Sequence, residues 1–416
     1  MAYMILDPLA FLVSIILYIA GAYTFYIIFL GIYNKNQLHR ETYYFKFKHF
    51  PYYSIIVPAK NEERVIGRVL GKLVEQDYPK NLYEVIVVED GSTDRTLEIA
   101  KKYEREHGNI KVVHCGESKG KPHSINVGLE HAKGEVIGVL DADAIPPPNM
   151  LLKTSDYMQD PNVDAIQCVY QYVNGNEGIL AKAGMFEGLL WHAFVLRVKD
   201  MVGLFVPLCG SGMFIKRHVF EKIGKWNEKS LTEDVDFSLR MLKAGFKIRH
   251  ALIPIGHETP GRLKAFFKQR VRWYRGYFVT GIKHIDVWKY LNKKLAFDIS
   301  FTLLSPLLSV LATVAYFFNT LYFLKAMKIF SFLSLLLGVF SYQFIYLSIA
   351  MLWILLSNIK DKMTYIMMSF FSIPYFFLLS IINMYVIFTL IFKRSMEWTK
   401  TDKTGAFDQK YFNPFS

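Results

Sequence analysis

Residues 8–33 carry no charged side chain, and their only interruptions are small or hydroxylated residues. Such a run is long enough to cross a hydrocarbon core of ~30 Å as a helix. It starts almost at residue 1, has no Lys or Arg before it and lacks a small-residue cleavage site, so a retained anchor is expected rather than a signal peptide. Lys35, His39, Arg40, Lys46 and Lys48 follow it. By the bias of basic residues toward the cytosol, they place the amino terminus outside and the next domain inside. After Lys294 come three further apolar stretches, 296–324, 329–356 and 363–392, which make four candidate spans. Pro306 and Pro374 within them are tolerable, because neighbouring helices can satisfy the freed carbonyls. Counting spans puts the tail from Lys393 outside, whereas Lys393, Arg394, Lys400 and Lys403 put it inside. The basic tail outweighs the count, so one stretch is expected to be re-entrant, interfacial or split.

Between 50 and 283 the pattern changes to short β-branched runs alternating with amphipathic segments, the mark of an α/β domain with a largely parallel sheet. Strands are expected at 53–57, 84–88, 110–113 and 135–140, and helices at 62–75, 94–106 and about 123–132. The net charge of +13 suits nucleic acid, anionic lipid or a phosphorylated substrate alike. The basic residues cluster beside the apolar segments and form no RRM, KH or helix-turn-helix pattern, so no nucleic-acid partner is expected. Cys115, Cys168 and Cys209 form no CxxC and have no His cluster beside them, which argues against a zinc site or a disulfide framework.

In open α/β sheets ligands collect beyond the carboxyl ends of the strands. The residues there are Pro58, Ala59, Lys60, Asn61 and Glu62, then Glu89 and Asp90, then Asp141, Ala142 and Asp143. Asp90 alone reads equally well as a turn cap. Asp141 and Asp143 lie on one side of an extended chain and can share a hard cation, Mg²⁺ or Mn²⁺, whose remaining shell suits phosphate oxygens. No Walker-type loop is present and no GxGxxG follows a strand, so ATPase and dinucleotide folds lose support.

Pro58-Ala59-Lys60-Asn61-Glu62, Glu89-Asp90-Gly91-Ser92, Gly120-Lys121 with Asn126, and Asp141-Ala142-Asp143 together resemble the nucleotide-sugar core of the family 2 inverting glycosyltransferases. The resemblance implies a GT-A fold. It also implies that Glu62 and Asp90 meet the nucleoside, that Lys121 lies near it, and that Asp143 with Asp141 holds the metal.

Inverting transfer needs a general base set apart from the metal. Leu231-Thr232-Glu233-Asp234 opens a helix, and Thr232 is a plausible N-cap while Glu233 and Asp234 also suit the helix dipole. Thr232-Glu233-Asp234 resembles the acceptor-side signature of the cellulose and hyaluronan synthases, which implies Asp234 as the base. Gly210-Ser211-Gly212, before a strand-like 213–216, is similar to the glycine-rich acceptor loop of that group. Trp191 and Trp226 are candidate sugar platforms or core residues.

Over 261–283, Leu263, Phe267, Val271, Tyr274 and Phe278 form an apolar stripe beside Lys264, Lys268 and Arg275, the pattern of an interfacial helix. Gln269, Arg272, Trp273 and Gly276 fall on another face. Gln269 to Trp273 matches the QxxRW motif of membrane polysaccharide synthases, which implies that Arg272 meets the diphosphate and Trp273 the acceptor sugar. Residues 398–405 resemble the gating segment of the same synthases, which points to Trp398, Thr401 and Lys403.

The expected organisation is an amino-terminal transmembrane helix at 1–34, a cytosolic GT-A domain at 50–258 and an amphipathic interfacial helix at 259–290. Transmembrane helices at 296–392 and a cytosolic tail at 393–416 complete it. The resemblance, which extends to chitin and poly-N-acetylglucosamine synthases, implies transfer from a nucleotide-diphosphate sugar, with a UDP-sugar favoured, to a growing polysaccharide at the plasma membrane. The partners are then the donor, a saccharide or lipid acceptor and membrane lipids. Two alternatives stay open: a single addition to a membrane lipid, and a non-catalytic nucleotide-sugar sensor.

Overall fold

The computed structural model describes residues 2–38, 49–326, 362–392 and 403–408. Its centre is one seven-stranded sheet. The strands are β1 (Tyr53–Ala59), β2 (Tyr83–Glu89), β3 (Ile110–His114), β4 (Val136–Val139), β5 (Ala165–Tyr172), β6 (Met213–Lys216) and β7 (Ile248–His257), in the order β3-β2-β1-β4-β6-β5-β7. β1 to β4 run parallel, β6 runs antiparallel to both β4 and β5, and β5 is parallel to β7. The carboxyl ends of β1, β2, β4, β5 and β7 therefore share one edge. The chain entering β6 arrives at that same edge.

Alternation along β1 sends Ile55 and Val57 to one face and Ile56 to the other. The first face packs on Val65, Val69, Leu70 and Leu73 of the helix around Ile66–Val74, and the second on Ile125, Phe237 and Met241. A sheet covered on both faces explains why these strands are nearly continuous runs of β-branched residues.

Among the described residues, Ile179–Met201, Lys293–Val314 and Pro374–Ile391 are long and apolar enough to cross a membrane, and Tyr18–Tyr33 is a shorter apolar helix. Lys293–Val314 overlaps the expected span 296–324, Pro374–Ile391 and Tyr18–Tyr33 fall within 363–392 and 8–33, and the expected span 329–356 lies outside the described residues. Ile179–Met201 is 61% buried, against 33% for the two carboxyl-terminal helices, so its apolar side chains serve largely for packing against the rest of the chain. The helix Leu263–Lys283 carries the expected stripe; Leu263 is exposed, but the middle of the stripe is covered by protein. Val271 is buried, and Phe267 and Tyr274 pack with Leu379, Ile382 and Val386 of the helix Lys362–Ile391. Lys199 bridges to Asp298 at 2.8 Å, and Asp298 also accepts from the Tyr23 hydroxyl and from the Phe205 amide. This buried polar group ties the amino-terminal helix and the helix Lys293–Ala326 to the sheet domain.

Candidate active site

Asp141 and Asp143 follow β4, and His257 ends β7; one ligand atom from each lies within 4.8 Å of the others. Asp143 and His257 are buried, and His257 Nε2 has no hydrogen-bond partner among the described residues. Two carboxylates and an imidazole at this spacing fit a divalent cation. The Asp141 amide donates to Ser211 Oγ at 2.9 Å, which fixes the carboxylate pair against the Gly210-Ser211-Gly212 turn. Burial alone would raise the Asp143 carboxyl, but Lys403 and His257 hold it well below the usual carboxylate range. Lys121 Nζ donates to Asp141 Oδ1 at 2.5 Å and to the Gly210 carbonyl at 2.9 Å. Its ammonium stays charged despite burial because Asp141, Glu233 and Asp234 surround it.

A cavity of about 360 Å³ opens from this cluster. At one end it is lined by Pro58, Ala59, Glu62 and Asp90, beyond β1 and β2. The Asp90 carboxylate accepts from the amides of Lys119 and Gly120 and from the Ser118 hydroxyl, so it also shapes the turn that delivers Lys121. Asn61 and Asn126 are not among the residues lining the cavity. The Asn61 side chain accepts from the Thr93 amide, and Asn126 exchanges hydrogen bonds with the Trp226 backbone. Trp226 itself is buried core, stacked on Phe237.

Across the cavity, Thr232, Glu233 and Asp234 begin the helix Glu233–Lys243. The Thr232 side chain makes no N-cap bond; its hydroxyl pairs with Thr280 at 3.0 Å. Burial, and next the negative charge of Glu233, push the Asp234 carboxyl up to about 7. Gly210, at φ +80°, lets the backbone pass between Asp234 and Lys121: a Cβ there would lie 3.1 Å from Asp234 Oδ2 and 3.3 Å from Lys121 Nζ. The two clusters thus meet across one backbone turn.

Gln269, Arg272 and Trp273 all line the cavity. Burial lowers the affinity of the Arg272 guanidinium for its proton, and Glu233, Asp234 and Asp141 act in the opposite sense, which places Arg272 in the field of all three carboxylates. Gln269 Oε1 is buried without a partner among the described residues. Trp273 is backed by the Arg270 guanidinium, 4.4 Å from its ring centre. The helix docks on the Thr232 loop through Gly276, where a Cβ would lie 2.3 Å from Thr232 Cγ2.

The cavity continues past Trp191 and His192 to Thr302 and Ser305 of the membrane-length helix Lys293–Ala326. Tyr170 is stacked between His192 and His257, with ring centres 4.7 and 4.2 Å apart. Tyr170, His257, Glu258, Glu187 and Arg270 stand at the site without having been singled out from the sequence. Of the expected gating residues, Lys403 lines the cavity; Trp398 and Thr401 lie outside the described residues.

Residues 51–276 match the family model described as glycosyltransferase like family 2. The chain is 30% identical over 245 residues to a β-monoglucosyldiacylglycerol synthase of Synechocystis, a match that takes in 58% of this chain and 50% of that enzyme; the chain thus spans about half the length of that relative. It is 25% identical over 293 residues to a poly-β-1,6-N-acetyl-D-glucosamine synthase of Staphylococcus epidermidis, covering 65% of this chain and 68% of the synthase. The mannosyltransferase PcManGT of Pyrobaculum calidifontis, solved with GDP-Man and Mn²⁺, shares the fold with a TM-score of 0.63 at 21% identity, over 90% of this chain and 99% of that one.

Proposed function

The chain belongs to glycosyltransferase family 2, and from that premise we propose that it inverts the anomeric centre of a nucleotide-diphosphate sugar as it transfers the sugar to a hydroxyl of a membrane-borne acceptor at the cytosolic face. The observation that carries this reading is the joint placement of Asp141, Asp143, Asp234, Arg272 and Trp273 around one cavity.

The nucleoside belongs at the end lined by Glu62 and Asp90. Asp141, Asp143 and His257 would hold a divalent cation, which when bound offsets the diphosphate charge. Lys121 and Arg272 add fixed positive charge where the leaving diphosphate gains negative charge as its bond to the anomeric carbon breaks. Asp234 takes the acceptor proton; its raised pKa makes it a stronger base than an ordinary carboxylate while leaving about half of it ionised near neutrality. Trp273 offers an aromatic face to the acceptor pyranose. Because the cavity reaches Thr302 and Ser305, the acceptor approaches from the side of the membrane-length helices.

Elongation of a polysaccharide is the first reading of the acceptor, in keeping with QxxRW and the similarity to the poly-N-acetylglucosamine synthase. A single addition to a membrane lipid is the second, favoured by the similarity to the glucosyldiacylglycerol synthase. Product size separates them. Full-length protein in lipid nanodiscs, supplied with Mn²⁺ and a panel of radiolabelled nucleotide sugars, gives a ladder of labelled saccharides under the first reading and one labelled lipid under the second. Label that stays in the nucleotide pool with every donor refutes both.

A further inference from the structure

Residues 403–408 lie across the carboxylate end of the cavity, held there by a set of hydrogen bonds. Lys403 Nζ donates to Asp143 Oδ2 at 2.5 Å and to the Glu258 carbonyl at 3.1 Å. Glu258 Oε2 then accepts from the Thr404 amide at 2.9 Å, the Thr404 hydroxyl at 3.2 Å and the Gly405 amide at 3.2 Å. Its Oε1 accepts from Arg68 at 3.0 Å, and a second Arg68 nitrogen donates to the Gly405 carbonyl at 3.1 Å. The Asp408 amide closes the crossing on the Val173 carbonyl at 2.9 Å. Glu258 is 3% exposed, so this carboxylate is committed to holding the strap. Gly405, at φ +81°, supplies the backbone reversal that returns its carbonyl to Arg68.

The strap therefore presents one positive charge, and it does so on an oxygen of the carboxylate best placed to ligate a cation. Asp143 Oδ2 already receives the Glu258 amide at 3.1 Å. A divalent ion on Asp143 and an ammonium 2.5 Å from the same oxygen repel each other in a buried site, where charges are weakly screened.

We propose that Lys403 is an internal cation that competes with the divalent metal for Asp143, and that Glu258 and Arg68 are positioning residues that seat the strap and so set how readily the metal site loads. This rests on the reading of Asp141 and Asp143 as the metal-holding pair. The coupling is reciprocal: metal on Asp143 loosens the strap, and a seated strap weakens metal affinity.

Free Mn²⁺ measured by its EPR signal against full-length protein in nanodiscs, without donor, tests this directly. Lys403→Met keeps the length of the side chain and removes its charge, and should bind Mn²⁺ about tenfold more tightly than the parent. Lys403→Arg should stay near the parent value. Gly405→Val adds no charge but cannot hold φ +81° without strain, so by unseating the strap it should tighten Mn²⁺ as Lys403→Met does. In the parent protein, Mn²⁺ should speed deuterium exchange of the amides of 404–408. Asp143→Asn is the control. If it lowers Mn²⁺ affinity while Lys403→Met leaves affinity unchanged or weaker, the strap proposal is overturned and the metal reading stands. If Asp143→Asn binds Mn²⁺ as the parent does, the metal reading fails and the strap proposal falls with it.

Discussion

Asp234, the proposed base, is a carboxyl that burial and the neighbouring Glu233 push up to about 7. A base is active only when ionised, so kcat/KM should rise with pH through about 7 and level off above it. A profile flat between pH 5 and 8 would contradict the assignment. Asp234→Asn should lower kcat by about 10²–10⁴-fold while calorimetric donor affinity survives, because only the proton acceptor is lost. Residues after strands read from the sequence could be found in advance: Glu62, Asp90, Asp141 and Asp143 all line the cavity. His257 and Glu258 could not, because Arg249, His250 and Pro254 interrupt the run Ile248–His257 that delivers them. Asn126 shows the reverse case. An Asn beside a lysine motif suggests a ligand contact, whereas its side chain bonds the Trp226 backbone and the Glu228 carboxylate.

Short β-branched or apolar runs were legible as strands: β1, β2, β3, β4 and β6 lie where the pattern puts them, within two residues at each end. β5 and β7 break that pattern for physical reasons. β5 carries Gln167, a polar residue in the core, which is satisfied by donating to the Ser211 carbonyl and accepting from the Cys209 amide. β7 contains Pro254 at an irregularity, where the register against β5 shifts between Cys168 and Val169. The basic helix was legible by its periodicity, but its partner was not. Periodicity shows which side chains share a face and says nothing of whether lipid or another helix covers it. The fit of that helix to the Thr232 loop yields a prediction at this scale. Gly276→Val places branched carbons where Thr232 already sits, an overpacking cost of about 1–3 kcal/mol that also displaces the start of the Asp234 helix. Turnover should fall with the secondary structure intact by circular dichroism; unchanged kcat would show that the contact does not position Asp234.

At the scale of the whole molecule, the membrane-length helices are joined to the catalytic domain by buried polar groups. Arg270 pairs with Glu187, and the Tyr375 hydroxyl on the helix Lys362–Ile391 donates to the same Glu187 oxygen at 2.6 Å. Since Arg270 also backs Trp273, the pair links the outer helix to the wall of the cavity. Glu187→Ala leaves a buried guanidinium without its carboxylate and should cost about 3 kcal/mol, read as a lower Tm in nanodiscs. An unchanged Tm would mean that the pair is not structural. Carboxylates from separate strands converge on one cavity, and the proposed use of that convergence is to move a sugar from a nucleotide diphosphate. It is tested most directly by nucleoside-diphosphate release coupled to label incorporation in full-length protein in nanodiscs, with Mn²⁺ present and then chelated, for the parent and Asp234→Asn. The parent should incorporate label, with incorporation stopping on chelation and lost in Asp234→Asn; equal incorporation by both proteins, or none from any donor, would refute transfer at this site.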